Sequence, residues 1–374
     1  AEQGLPVDWF TNLQISLTAA ELSKFKASSD VYLPFGFPPQ PEQVLKLGNL
    51  KKTLRSLAEN GPDEFYRGSI ANELVTDLNE GGSRITLEDL HNYIPLESEP
   101  LRGKHRGHDL YTPGVTSGGH RLNEALAYVE ENLNYSDPFG ANTYIAYAKG
   151  LNKAFKSHKE KLGRTINYGC TSHMSTVDSE GNMVSLTYTL LNRFGSKVVL
   201  PRTGVLMNNS VSYFDPRPGY PTSMAGGKRI NSSNMCPTIC VKNGEAKFAV
   251  GASGANHIVP CTMELTAFLI DYGLSLEDAF NLPRIDVNET DLITVDPNLG
   301  EETINQLSRH FKINVAQNLV FPKLYSCPSG VYRDNKKGKT FGISDKNSPS
   351  SGAVSEGLHD FTETAQGMSN VPRA

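Results

Sequence analysis

The sequence predicts an α+β fold in which helices surround two or more antiparallel sheets. Two observations carry this expectation. Before residue 160, apolar side chains recur three and four positions apart in segments that close on glycine, the pattern of amphipathic helices. Beyond residue 165 the period drops to two, in paired runs joined by short polar turns, the pattern of β-hairpins.

In chain order, "PEQVLKLGNLKKTLRSLAENG" (41–61) and "PDEFYRGSIANELVTDLNEGG" (62–82) predict helices, as do "TSGGHRLNEALAYVEENL" (116–133) and "ANTYIAYAKGLNKAFKSHKEKL" (141–162). "HMSTVD", the turn "SEGN" and "MVSLTYTL" (173–190) predict one hairpin. "TICVK", Asn243-Gly244 and "EAKFAVG" (238–251) predict a second, since Asn-Gly supplies the positive φ angles of a tight turn. "VPCTMELTAFLIDYG" (259–273) is an apolar helix with Pro260 in its first turn and Gly273 at its stop. "SLEDAF" (275–280) opens another on a Ser-x-x-Asp cap. "HRGH" (105–108) is taken as a polar loop, "DNKKGK" (334–339) as a solvated turn, and the polar tail from Ser348 as frayed.

With 36 Lys and Arg against 40 Asp and Glu, and no long basic block, the chain is a poor partner for nucleic acid. No apolar run reaches the ~18 residues of a membrane helix. The five cysteines show neither CxxC nor zinc spacing, and Cys236 and Cys240 are expected to pack on one strand face. No metal or other cofactor is called for. Asn-x-Ser/Thr sequons begin at Asn134, Asn208, Asn231 and Asn288, and matter only if the protein is secreted from a eukaryote.

Two candidate nucleophiles stand out. Thr171, in "YGCTSH", is either an ordinary strand residue or a nucleophile released as a new N-terminus. In the second case its own α-amine, of intrinsic pKa about 7.7–8.0, is a base within reach of its hydroxyl. Ser253, in "VGASGAN", lies between a strand and a helix as in a nucleophile elbow, with Asp271 or Asp286 and His310 or His359 in the expected chain order. Ala255 stands where that motif needs Gly, and no run of alternating βα units surrounds it. The same turn equally suits backbone N–H groups that stabilise an oxyanion formed elsewhere. A cysteine-protease pairing of Cys170 with His173 lacks an orienting partner.

"TSHMSTVDSEGNMVSLTYTL", "GVLMNNSVSYFDPRPG", "GGKRINSSNMCPTICVKNGEAKFAVGASGAN" and "FLIDYGLSLEDAFNLPRI", in that order, resemble the small subunit of γ-glutamyltransferases. "GPDEFYRGSIANELV", "ITLEDLHNY" and "YTPGVTSGGH" resemble the later part of that family's large subunit. The resemblance implies a four-layer αββα sandwich of the N-terminal nucleophile hydrolase type. It also implies a precursor that cuts itself between Cys170 and Thr171. Residues 1–170 would then be the end of a large subunit and 171–374 the small catalytic one, the two forming a heterodimer. It assigns the nucleophile to Thr171, its hydrogen-bonding partner to Thr189, and the oxyanion N–H groups to Gly254 and Ala255. Ser233 and Asn234 match a Ser-Ser pair that binds the donor's α-carboxylate.

The departures fall on glutamate recognition. Tyr213 takes the place of the acid that binds the donor's amino group, Ser210 that of a Gln, and Leu191 that of an Asn, with Asn192 one place further on. Asp215 either supplies the missing charge or belongs to a rigid "DPRPG" loop. The family's large subunit begins well upstream of Ala1, in a region that carries an Arg for the substrate carboxylate, so an incomplete precursor or a mature fragment is expected. The sequence therefore predicts a γ-glutamyl or related acyl transferase/hydrolase that passes the acyl group to water or an amine, from glutathione-like donors, in an extracellular setting. The alternative is a secreted, processed but catalytically weak relative, acting as an interaction or venom toxin-like protein.

Overall fold

The computed structural model describes residues 1–114, 117–133, 139–163, 169–224, 233–287 and 291–356. Strand β1 (Leu5–Pro6) pairs antiparallel with β2 (Val44–Leu45). The helices between them, α1 (Trp9–Ser16), α2 (Ala19–Leu22) and α3 (Lys26–Tyr32), close over Ile15, Leu22, Leu33 and Leu45. The 41–61 run turns helical late, because its first part holds β2 and a Gly48 turn at φ 56°. α4 (Leu50–Asn60) then ends at Gly61, at φ 79°. The 62–82 run divides into α5 (Asp63–Tyr66) and α6 (Ser69–Glu80), where the Glu64 carboxylate accepts the Ser69 N–H at 3.0 Å. Thr86 and Asp89 form a capping box at the start of α7 (Leu87–His91).

A hairpin then interrupts the half expected to be helical. β3 (Leu101–His105) pairs with β4 (His108–Thr112), so "HRGH" is a tight turn rather than a polar loop. Arg106 and Gly107 both take positive φ, 43° and 74°, as such a turn demands. His105 is fully buried, with Nε2 2.7 Å from Asp271 Oδ1. The helices α8 (Gly119–Asn132) and α9 (Ala141–Leu162) follow, and then the first predicted hairpin, β5 (Thr171–Val177) with β6 (Met183–Thr189).

The second predicted hairpin is β7 (Thr238–Lys242) with β8 (Glu245–Ser253), followed by α10 (Ile258–Asp271) and α11 (Leu276–Asn281), which Ser275 caps at the Asp278 N–H. Of Cys236 and Cys240 only the second lies in a strand, and both are buried. A small mixed sheet comprises β9 (Ile285–Val287), β10 (Leu292–Val295) and β11 (Lys312–Val315), with α12 (Glu301–Ser308) between the last two. β12 (Cys327–Asp334) and β13 (Lys339–Ser344) flank the solvated turn at 335–338.

The main sheet has six antiparallel strands in the order β13-β12-β8-β7-β4-β3. Alternation along β8 sets its two faces. Phe248, Val250 and Ala252 join Leu122, Tyr147, Leu151, Met263 and Phe268 of α8, α9 and α10 in the main core. Gly251 and Ser253 face the β5–β6 hairpin, which lies across the opposite side: Ser185 Oγ donates to the Val250 carbonyl at 3.3 Å and Ser329 Oγ to that of His173 at 3.3 Å. A Cβ on Gly251 would fall 2.3 Å from the His173 ring, so glycine there permits the close stacking. The fold is thus α+β, and of an αββα sandwich the described residues build three layers, helix, sheet and hairpin. Met174, Val184, Leu186 and Tyr188 are exposed on the hairpin's outer face.

Candidate active site

The hairpin register places Thr171 directly opposite Thr189. The Thr189 hydroxyl is fully used. It donates to the Cys170 carbonyl at 2.8 Å, and it accepts from the Leu191 N–H at 2.8 Å and from the Thr171 hydroxyl at 3.4 Å. In this continuous chain, the carbonyl before Thr171 is therefore polarised by the residue that also holds the Thr171 hydroxyl. Leu191 takes φ 74°, an uncommon angle for a branched side chain, and its carbonyl accepts the Cys170 N–H.

At the end of β8 the chain turns sharply, with Gly254 at φ 132° and Ala255 at φ 54°. Among the described residues no acceptor meets the Gly254 or the Ala255 N–H. The turn lies beside Gly169, two residues before Thr171, since a Cβ on Gly169 would come within 3.4 Å of the Ala255 Cβ. Among the described residues Ser253 forms no elbow triad. There its hydroxyl meets only the Cys327 carbonyl, at 3.5 Å, while Asp271 is held by His105 and Asp286 by His257 at 2.8 Å. His359 lies outside the described residues. His173 is bound on both nitrogens, to Thr187 Oγ1 at 2.8 Å and Ser175 Oγ at 3.0 Å, and burial pushes its pKa down to about 4. It is a neutral packing group beneath the hairpin.

The residues expected to bind the donor fall into two groups. Tyr213 packs against Leu191, so two of the positions expected to depart from the family pattern touch one another as an apolar wall. Burial raises the Tyr213 phenol to about 12, and it stays neutral. The Asn192 N–H donates to Asn209 Oδ1 at 2.9 Å and the Ser210 N–H to Asn208 Oδ1 at 2.9 Å, which shapes the loop beneath that wall. Asp215 is fully buried and its carboxylate is engaged by Arg217 through Nε at 3.0 Å and Nη2 at 2.6 Å. Arg217, two residues on, thus meets that charge.

The second group holds Ser233 and Asn234. The Ser233 carbonyl accepts from Arg121 Nη2 at 2.7 Å and Asn234 Oδ1 from Arg121 Nη1 at 2.8 Å. Asn234 Nδ2 donates to Asn256 Oδ1 at 2.6 Å, one residue beyond the turn with free N–H groups. Arg121 and Asn256 carry no local motif that marks them; only the approach of α8 to a segment 113 positions away reveals them. Of the four sequons, Asn208 is exposed, and Asn134, Asn231 and Asn288 lie outside the described residues.

The family model for gamma-glutamyltranspeptidase matches residues 1–164 and 141–355. The glutathione hydrolase proenzyme of Escherichia coli (strain K12) is 32% identical over 315 residues, covering 70% of this chain and 54% of its own length. The acylase ACY 1 proenzyme of Pseudomonas sp. (strain SE83) is 30% identical over 326 residues, covering 76% and 58%. The crystal structure of cephalosporin acylase from Bacillus halodurans superposes with a TM-score of 0.82 at 23% identity, over 93% of this chain and 71% of that one, and so shares the fold. The chain spans a little over half the length of the curated relatives it matches.

Proposed function

The chain belongs to the gamma-glutamyltranspeptidase family, and from that premise we propose that it is a self-processing acyltransferase and hydrolase with Thr171 as nucleophile. The observation that carries this is the Thr171–Thr189–Cys170 chain of hydrogen bonds beside the Gly254–Ala255 turn. In self-cleavage the Thr171 hydroxyl oxygen attacks the Cys170 carbonyl carbon. The C–N bond breaks as the amide nitrogen takes the hydroxyl proton, and water hydrolyses the resulting ester. Thr171 is left with a free α-amine, which accepts the hydroxyl proton when the oxygen attacks a donor amide and delivers it to the departing amine. The Gly254 and Ala255 N–H groups face the oxyanion formed in each step. Water or an amine then takes the acyl group from Thr171.

The donor proposed is an acyl amide whose far end is anionic and which lacks an α-ammonium, in preference to an ordinary γ-glutamyl compound. Tyr213 and Leu191 offer an ammonium no counter-charge, and Asp215 is already paired with Arg217. A glutaryl amide has the required form. The two pieces are proposed to remain together as a heterodimer in an extracellular setting, where the exposed Asn208 sequon would be open to glycosylation. The decisive experiment is the intact mass of purified protein. A 374-residue chain cut after Cys170 gives pieces of 170 and 204 residues, and Thr171→Ala stays whole. Wild type that turns over donors uncut, or a variant that still cuts, would overturn the mechanism.

A further inference from the structure

Arg121 is fully buried on the inner side of α8, among neighbours such as Leu122, Ala125 and Leu126. A guanidinium there is costly to desolvate, and a well-packed apolar side chain would normally serve stability as well or better. The position therefore calls for a role other than stability. The fork of Arg121 grips both ends of one segment, through the Ser233 carbonyl at 2.7 Å and Asn234 Oδ1 at 2.8 Å. Phe155 lies against its face, 5.2 Å from the ring centroid, and leaves it little freedom. Asn234 in turn holds Asn256, and all three side chains are buried, so one polar relay links α8, the 233–234 segment and the oxyanion turn.

We infer that Arg121 is the specificity-determining charge of the donor pocket: it positions Ser233 and Asn234 and gives that segment a positive field that favours acyl donors ending in a carboxylate. It acts through those two residues and is a positioning residue rather than a catalytic one. Its field reaches Tyr213 and His158 as well. Burial raises the Tyr213 phenol and the nearby Arg121 charge opposes that rise; burial lowers His158 and Arg121 adds to the fall. In a low-dielectric interior such a charge acts more strongly than it would at the surface. The inference rests on the donor site proposed above.

The test is the ratio of kcat/KM for a glutaryl anilide to that for the uncharged butyryl anilide. In Arg121→Met this ratio is expected to fall by about tenfold or more, the scale of losing a charged hydrogen-bonding partner, chiefly through KM for the glutaryl compound. Arg121→Lys should restore most of it. Should Arg121→Met fail to fold, Arg121→Gln, which keeps a donor for Asn234, takes its place with the same expected fall. An equal loss on both anilides, with the ratio unchanged, would make the role structural and overturn the inference. If the wild type turned over neither anilide, the donor reading would fail by itself. Calorimetric binding of glutarate would then decide Arg121: about tenfold weaker binding in Arg121→Gln supports the inference, and equal binding, or none to wild type, overturns it.

Discussion

Thr189 shows how much one hydroxyl can organise. With one proton to give and two lone pairs to receive, it meets the Cys170 carbonyl, the Leu191 N–H and the Thr171 hydroxyl together. Thr189→Val keeps the shape and removes all three contacts, so self-cleavage is expected to slow by about ten- to a hundredfold, the kinetic weight of one or two hydrogen bonds at a reacting carbonyl. The appearance of the 204-residue piece with time measures it, and an unchanged rate would remove Thr189 from the mechanism. The adjoining turn makes a matched prediction. Gly254 sits at φ 132° with Ser326 atoms 3.2 Å from where a Cβ would stand, so Gly254→Val displaces the oxyanion donors. It should lower kcat by about a hundredfold or more while KM changes little. Ser253→Ala should leave kcat within about twofold of wild type, since that hydroxyl has only a long contact to the Cys327 carbonyl. Lost activity in the serine variant, with Thr171→Ala still active, would restore the elbow reading.

The stacking of the hairpin on the sheet depends on Gly251 and His173. Gly251→Ala drives a methyl into the imidazole and should lift β5 from β8, slowing self-cleavage and lowering thermal stability by about 1–3 kcal/mol. His173→Ala in the same chain vacates that space and should restore cleavage. Failure of the double variant to recover would place the fault elsewhere. Gly251 lies inside a run that the sequence already marks as a strand, but its partner is 78 positions earlier, so no local pattern announces the contact. The same limit explains what was legible. Where one segment specifies itself, the sequence sufficed: α9 spans Ala141–Leu162 as its spacing predicts, and both predicted hairpins close on their turns. The β3–β4 hairpin was missed because "LRGKH" and "HDLYT" are mixed in polarity; their burial comes from β7, α8 and Asp271 rather than from their own alternation. At the site, Thr171 and Thr189 face each other through a register that a short turn fixes. The coupling of Leu191 to Tyr213, the closure of Asp215 by Arg217 and the relay from Arg121 depend on how loops settle in three dimensions.

Across the whole molecule, two histidines set a common pH response. Burial holds His173 at about 4 and His158 at about 3, whereas in the unfolded chain each titrates near 6.5. Above that value both are neutral in either state, and the stability associated with their shifts is fully present. As pH falls below it the unfolded chain takes up protons that the native protein refuses, and each histidine removes about 1.4 kcal/mol per pH unit until its folded pKa is reached. Urea unfolding of the uncut Thr171→Ala chain should therefore show stability declining between pH 6.5 and 4.5. A flat profile over that interval would mean that both rings are hydrated. The two pieces made by cleavage should co-elute in native buffer and part only in denaturant, because Leu110 of β4 lies opposite Cys240 of β7 and the main core draws on both sides of the cut.

That shared sheet would make the proposed cleavage a record of history. While the chain is whole, β4 and β7 search for each other on one tether, at an effective concentration on the order of millimolar. After the cut the same encounter is bimolecular, so the native state becomes easy to keep and hard to regain. On the proposed mechanism the Thr171 amine would be uncovered only in molecules that have already assembled the site which releases it. The broken peptide bond would then serve as an inspection mark: a cut molecule has folded once, and one that later unfolds has lost the connection that guided it there.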